Sequence, residues 1–192
     1  MMRSGRLAAW LGLAGVLLGP RVEAQGLTPG KPGPFVIDVR GVTIGIPASP
    51  GLYPDLGDQY VVPARGFGFD VGAHVYLFSL GPARLGIGAN YIEVRGTATD
   101  ADATLETIAP QLSFNFGTSD GWSYLSVGAG TARVKAVASA SSSAINAGGG
   151  ARWFLKRHLA VGFDVRFHMI AADGDTMGKS TQVSASVGFS LK

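Results

Sequence analysis

From Phe35 onward, apolar and polar residues alternate with a period of two. Phe67, Phe69, Val71, Ala73, Val75 and Leu77 are interleaved with Gly68, Asp70, Gly72, His74 and Tyr76. Leu159, Val161, Phe163, Val165, Phe167 and Met169 alternate with Ala160, Gly162, Asp164, Arg166 and His168. At the end, Val183, Ala185, Val187, Phe189 and Leu191 alternate with Gln182, Ser184, Ser186, Gly188 and Ser190. Successive strand side chains point to opposite faces, so each stretch is a strand with one apolar face. Five further runs, Phe35–Ile46, Leu85–Arg95, Leu105–Phe116, Trp122–Val134 and Ala144–Leu155, bring the set to eight. They are about twice the roughly 5–6 residues of an ordinary strand. They match the roughly 9–11 residues of a tilted membrane strand.

The connections alternate in length. Short turns are expected at Leu80–Ala83, Gly117–Gly121 and Lys156–His158, and longer loops at Pro47–Gly66, Gly96–Thr104, Lys135–Ser143 and Ala171–Ser180. That asymmetry is the one expected of an outer-membrane barrel. A soluble barrel would turn its apolar face inward and dress its polar face with long charged residues, especially Lys. Here the polar face is mostly Gly, Ser, Asn and Gln. The five Lys (Lys31, Lys135, Lys156, Lys179, Lys192) fall in loops, at strand ends or at the terminus. The apolar face is therefore assigned to lipid, where closure pairs every strand. Phe78, Phe116, Trp122 and Trp153 beside the short turns, with Phe189 near the chain end, form a candidate aromatic girdle at headgroup level. Phe67, Tyr91 and Phe167 stand at the other rim.

Composition sharpens this picture. Mean hydropathy is +0.25 and only 15% of residues are charged, against roughly 25% in soluble domains. Beyond the first twenty residues no apolar run is long enough for a spanning helix. Residues 1–24 read as a cleaved secretory signal peptide: Arg3 and Arg6, an apolar Leu7–Leu18, then small residues ahead of Gln25. Residues 25–34 form a flexible Pro/Gly-rich lead-in, and 35–192 the barrel domain. Without the leader 13 bases face 12 acids, so the basic balance gives no support to nucleic-acid binding. The absence of Cys excludes a disulfide framework and thiolate metal sites.

The segments GFGFDVGAHVYLFSLGP, INAGGGARWFLKRHLAVGFDVRFH and VSASVGFSLK resemble the small eight-stranded outer-membrane barrels, the OmpA/OmpX-like transmembrane family, over Phe35–Lys192. The resemblance implies an all-β, eight-stranded antiparallel up-and-down transmembrane β-barrel in the outer membrane of a Gram-negative type bacterium. It implies outer-membrane lipids as surroundings and the outer-membrane assembly machinery as a partner reading the C-terminal strand. Phe189 and Leu191 hold the outward phase of that strand, whereas the terminal Lys192 departs from the family's aromatic ending. Pro110, inside the fourth strand, removes a ladder donor and predicts a bulge or weakened pairing.

Candidate chemistry is confined to the lumen and the loops. Asp38, Arg40, Asp70, Arg152, Asp164 and Arg166 are expected to point inward as a balanced charge network, with His74 and His168 on the same face. Eight strands leave an interior that side chains just fill, so these charges must pair or take water. Pairs between the Asp38-x-Arg40 and Asp164-x-Arg166 strands are expected, because those strands flank the last one. The glycines of Gly86-x-Gly88, Gly128-x-Gly130 and Gly148-Gly149-Gly150 precede no helix and bind no dinucleotide. Their expected role is room beside bulky lumen groups. No catalytic residue, cofactor or metal site is assigned. In the loops, Asp55, Asp58, Asp100, Asp102, Asp173 and Asp175 lie near Arg65, Arg95, Arg133, Lys135 and Lys179. These could meet phosphates of a surface glycolipid, and Val137–Ser143 is expected to be mobile. The expected function is a monomeric barrel with a largely sealed polar lumen and a structural or surface-interaction role. Alternatives are a narrow pore, an adhesin acting through the loops, and a barrel enzyme acting on lipid acyl chains.

Overall fold

The computed structural model describes residues 35–54, 56, 61–118 and 121–192. The expected leader, the Pro/Gly-rich segment 25–34, Asp55 and Asp58 lie outside the described residues. Eight antiparallel strands run in chain order: β1 (Phe35–Gly45), β2 (Arg65–Leu80), β3 (Ala83–Thr97), β4 (Asp102–Thr118), β5 (Gly121–Lys135), β6 (Ser139–Lys156), β7 (Leu159–Ile170) and β8 (Ser180–Leu191). Each pairs with its sequence neighbours, and β1 pairs with β8 to close the barrel. No helix among the described residues is long and apolar enough to cross a membrane; the chain has the fold of the transmembrane barrels, which cross with strands.

The two-residue link between β2 and β3 begins with Gly81 at φ 60°. Mirror-image hairpin turns require this sign at their first central position. Register shifts occur at Tyr76/Phe78 and Phe154/Lys156, both just before short turns. Pro110 causes no shift. It stays in register with Ala89 of β3, while the β4–β5 ladder lapses between Ile108↔Thr131 and Gln111↔Gly128.

The loop lengths differ from expectation. Only the connections 46–64 and 171–179 are long, the former carrying a 3-10 turn at Pro50–Leu52. The expected loops Gly96–Thr104 and Lys135–Ser143 are mostly strand, leaving connections of residues 98–101 and 136–138. Small polar runs such as Ser139–Ser143 look like loop by composition. Here they pair residue for residue with Thr131–Lys135, so Val137–Ser143 is a tight hairpin rather than a mobile loop.

The longer strands reveal two amphipathic regimes. Through the middle of the barrel, polar residues point in and apolar ones out. Toward the long loops on β3–β5, the order inverts. Ile92 and Val94, Ala103 and Leu105, and Ala132 and Val134 are buried, while Glu93, Arg95, Thr104, Glu106, Arg133 and Lys135 point outward. Apolar-out is what hydrocarbon demands; apolar-in and polar-out is what water demands. A 15-residue strand such as β3, tilted at ~40°, rises roughly 38 Å. That exceeds the ~25 Å apolar band, so one side of the barrel carries excess wall at the loop end.

Candidate functional site

The inward parity of each strand fills the lumen in three layers. The middle layer holds the predicted charges, and none of Asp38, Arg40, Asp70, His74, Arg152, Asp164, Arg166 and His168 is more than 4% exposed. Arg152 of β6 reaches across the barrel and grips Asp38 of β1 with both ends of its fork, Nε–Oδ1 2.8 Å and NH2–Oδ2 2.6 Å. The same guanidinium lies 3.9 Å from the centroid of the Tyr124 ring. Arg40 sits 2.7 Å from Asp38 and 3.4 Å from Asp70, its register partner on β2. Asn90 and Ser186 also donate to Asp70, and Ser190 to Asp38.

A second group forms around Arg166. It donates to Asp164 at 3.0 Å, to Asn146 at 2.8 Å and to Ser126 at 2.9 Å, and Tyr124 donates to Asp164 at 2.8 Å. Gln111 links Asn146 to His74, each contact at 3.1 Å. His74 therefore joins the network through Gln111 rather than through Asp70. His168 stands apart, its Nε2 lying 3.0 Å from Ser184 Oγ.

The expected ion pairs between β1 and β7 do not form. With β8 interposed, those strands are about two strand spacings apart, roughly 10 Å. The charges instead pair within a strand, with β2, or across the lumen, and β8 contributes Ser184, Ser186 and Ser190. Sequence reasoning overlooked Asn90, Gln111, Tyr124, Ser126 and Asn146. Their signal was available, since each shares the inward parity of its strand. Glycine makes the expected room: a Cβ on Gly88 would lie 2.5 Å from the His74 ring, and one on Gly86 the same distance from Tyr76.

Above the charges, toward the long loops, the lumen is apolar. Val42, Ile44, Ile92, Val94, Leu105 and Ile170 line it, and Leu52, Tyr53 and Met177 drop in from the two long connections. The expectation of a polar lumen holds for the middle layer and is corrected here, where the inverted strand ends turn their apolar residues inward. The loops are tied over this plug. Ala138 N–H donates to the Leu52 carbonyl at 2.9 Å, and Gly178 N–H to Ser49 Oγ at 3.1 Å.

At the short-turn end, Val36, Tyr76, Trp122 and Phe154 pack together. Trp122 meets Tyr76 and Phe154 edge-on, with centroids 5.9 and 5.3 Å away. Its assignment to the outer girdle is thus corrected. Trp122 is 2% exposed and shares the inward parity of Tyr124 and Ser126, whereas Leu125 and Val127 take the outward one. The other four candidates face outward, with Phe78, Phe116, Trp153 and Phe189 at 61%, 38%, 51% and 56% exposed. Lys192, beyond the last strand, places its ammonium 3.8 Å from the Phe154 centroid. Partial burial, aided by nearby Arg157, holds that ammonium below the usual lysine range.

Fold and lumen together define a class, the small closed eight-stranded barrels of transmembrane type. Among solved structures, Neisserial surface protein A (NspA) matches with a TM-score of 0.60 at 15% identity, covering 83% of this chain and 97% of that one. Ail, the attachment invasion locus protein of Yersinia pestis, matches with a TM-score of 0.51 at 12% identity, covering 82% and 95%. Its complex with the heparin analogue sucrose octasulfate matches with a TM-score of 0.50 at 12% identity, covering 82% and 95%. At these identities the likeness is one of fold. No protein-family model matches the chain. No curated protein matches it either.

Proposed function

We propose that this chain is a non-enzymatic integral protein of the outer membrane of a Gram-negative type bacterium. In this reading it is monomeric, and residues 1–24 are removed as a leader. The barrel is folded into outer-membrane lipids by an assembly machinery that reads β8. Its lumen is sealed, and its role is structural and surface-interacting. The observation that carries the seal is the layering of the interior. A charge network is enclosed between an apolar plug containing Leu52, Tyr53 and Met177 and an aromatic plug built on Trp122. An ion crossing this path would have to enter an apolar layer without partners, at a cost of several kcal/mol or more. Planar-bilayer recording of the pure protein tests it. Bare-membrane current is expected; steady, large conductance would overturn the seal.

The surface role is favoured by the inverted, charged wall of β3–β5, which this reading lifts clear of the hydrocarbon. The attachment locus protein named above offers a parallel in fold for such a role. Cells displaying the chain are expected to adhere to host or neighbouring cells more than cells displaying a variant with Glu93, Arg95, Arg133 and Lys135 neutralised. Equal attachment would remove this part of the proposal.

A further inference from the structure

The outward face of β3–β5 carries two features that the sealed lumen does not use. The first is a groove of about 720 Å³, open to the outside and lined by Ile87, Pro110, Leu112, Val127, Ala129 and Ile145, with Gly88, Gln111 and Gly128 in its floor. It lies where the ladder lapses beside Pro110, because small residues (Ala89, Pro110, Ala129) occupy outward positions between larger ones. Its size is that of a typical ligand site, roughly 300–1,000 Å³.

The second feature lies directly above it on the same three strands. Arg95, Thr104 and Lys135 share one register row, and Glu93, Glu106 and Arg133 the next. Glu93 accepts from Arg95 at 3.1 Å and from the Tyr91 hydroxyl at 3.0 Å. Glu106 accepts from Lys135. The two acids face one another in register, Glu93 holding Arg95 and Glu106 holding Lys135, so Arg133 is the base left over on these two rows. Asp102, one row further out on β4, brings the face to three acids and three bases. Arg133 to Ala129 is four residues along β5, roughly 13 Å along the strand and ~10 Å in depth. Tyr91 and Thr131 mark the boundary between the two features.

We propose that this face binds one acylated, phosphate-bearing lipid of the outer leaflet. Its acyl chain lies in the Pro110 groove, and its phosphate rests on Arg95, Arg133 and Lys135. A groove facing hydrocarbon can be filled only by an apolar chain. Arg133, the base these two rows leave without an ion pair one headgroup depth above it, selects an anionic head. The opposite wall lacks the pairing: Phe167, Met169, Val183 and Val187 on β7 and β8 are outward and apolar, with no base among them. The proposal rests on the outer-membrane reading given above.

The test uses the full mature chain in detergent and in phosphatidylcholine vesicles, probed with phosphorylated lipid A, its dephosphorylated form, and inorganic phosphate. Native mass spectrometry is expected to show one tightly held phosphorylated lipid and little of the dephosphorylated one, with inorganic phosphate a poor competitor. Arg133→Ala with Lys135→Ala is expected to weaken binding roughly fivefold to tenfold. Ala129→Trp, which fills the groove, is expected to do the same, and Val187→Trp on the opposite wall to change nothing. Equal binding of both lipid forms, or equal loss in Val187→Trp, would overturn the site. Heat-modifiable gel migration of the same samples separates the two readings. Protein that inserts but binds without preference defeats the site alone; protein that never inserts defeats the barrel reading and the site with it.

Discussion

Replacing Arg152 with leucine removes the longest-reaching ion pair in the barrel. Asp38 would lose two short hydrogen bonds, of 2.6 and 2.8 Å, while keeping Arg40 at 2.7 Å and the Ser190 hydroxyl. Stripping one partner from a buried pair costs about 3–5 kcal/mol when nothing replaces it. Arg40 offsets part of that, and the lost stacking on Tyr124 adds about 1–2 kcal/mol. A net loss of about 3 kcal/mol follows. Arg152→Lys keeps the charge but not the fork, and is expected to lose about 1–2 kcal/mol. Asp38→Asn in the Arg152→Leu background removes the stranded charge and should restore most of the loss. The coupling energy between the two sites is thus about 2 kcal/mol or more. The assay is urea unfolding in phosphatidylcholine vesicles, with the folded fraction read from the unboiled gel band. Arg152→Leu within about 1 kcal/mol of the parent, or additive single changes, would refute the network as a stabilising unit.

Further outcomes follow from other layers of the same structure. Pro110→Ala restores a backbone donor where the β4–β5 ladder lapses and is expected to stabilise by about 0.5–1.5 kcal/mol; a lower urea midpoint would contradict this. Gly88→Ala sets a methyl against the His74 ring and should abolish the heat-modifiable folded band. Gly41→Ala, whose nearest neighbour would be 3.9 Å away, should leave that band intact. In the mature chain Trp122 and Trp153 are the expected fluorophores: brominated acyl chains should quench Trp122→Phe, which retains Trp153, and largely spare Trp153→Phe. Equal quenching of the two would return Trp122 to the lipid face. Leu52→Asp buries a charge in the loop-end plug and should destabilise by several kcal/mol, with earlier protease cutting in residues 46–64 as the readout.

Period-two alternation is a local property, so the eight strands and the inward parity of Asp38, Arg40, Asp70, Arg152, Asp164 and Arg166 could be read from the chain. What could not be read depends on pairing. That Arg152 serves Asp38 rather than Asp164 is set by strand stagger around a closed ring, which no window of sequence contains. The hairpin at 136–138 was obscured because Ser139–Ser143 has the composition of a loop, and only its partners on β5 hold it as strand. Trp122 differs for another reason: its proximity to a turn points to the girdle, but parity, shared with Tyr124 and Ser126, decides which face a strand residue takes.

The inversion of amphipathicity was written in the sequence all along, as Ile92-Glu93-Val94-Arg95 and Leu105-Glu106. It escapes a reading that assigns one polar face per strand. A strand that crosses a solvent boundary must exchange its faces there, because apolar side chains go outward in hydrocarbon and inward in water. The position of the exchange is therefore a ruler for membrane depth. On β3–β5 it falls near Tyr91, Ile108 and Thr131, which share a register row. On β7 the outward residues stay apolar through Phe167 and Met169, almost to the end of the strand at Ile170. The exchange thus comes four to six residues before the strand end on one wall and at the strand end on the other. A wall that leaves the bilayer early carries surplus polar face toward the outside. That surplus is why the charged rows stand on β3–β5, and why the same sheet can offer an apolar groove to acyl chains below and a charged patch above.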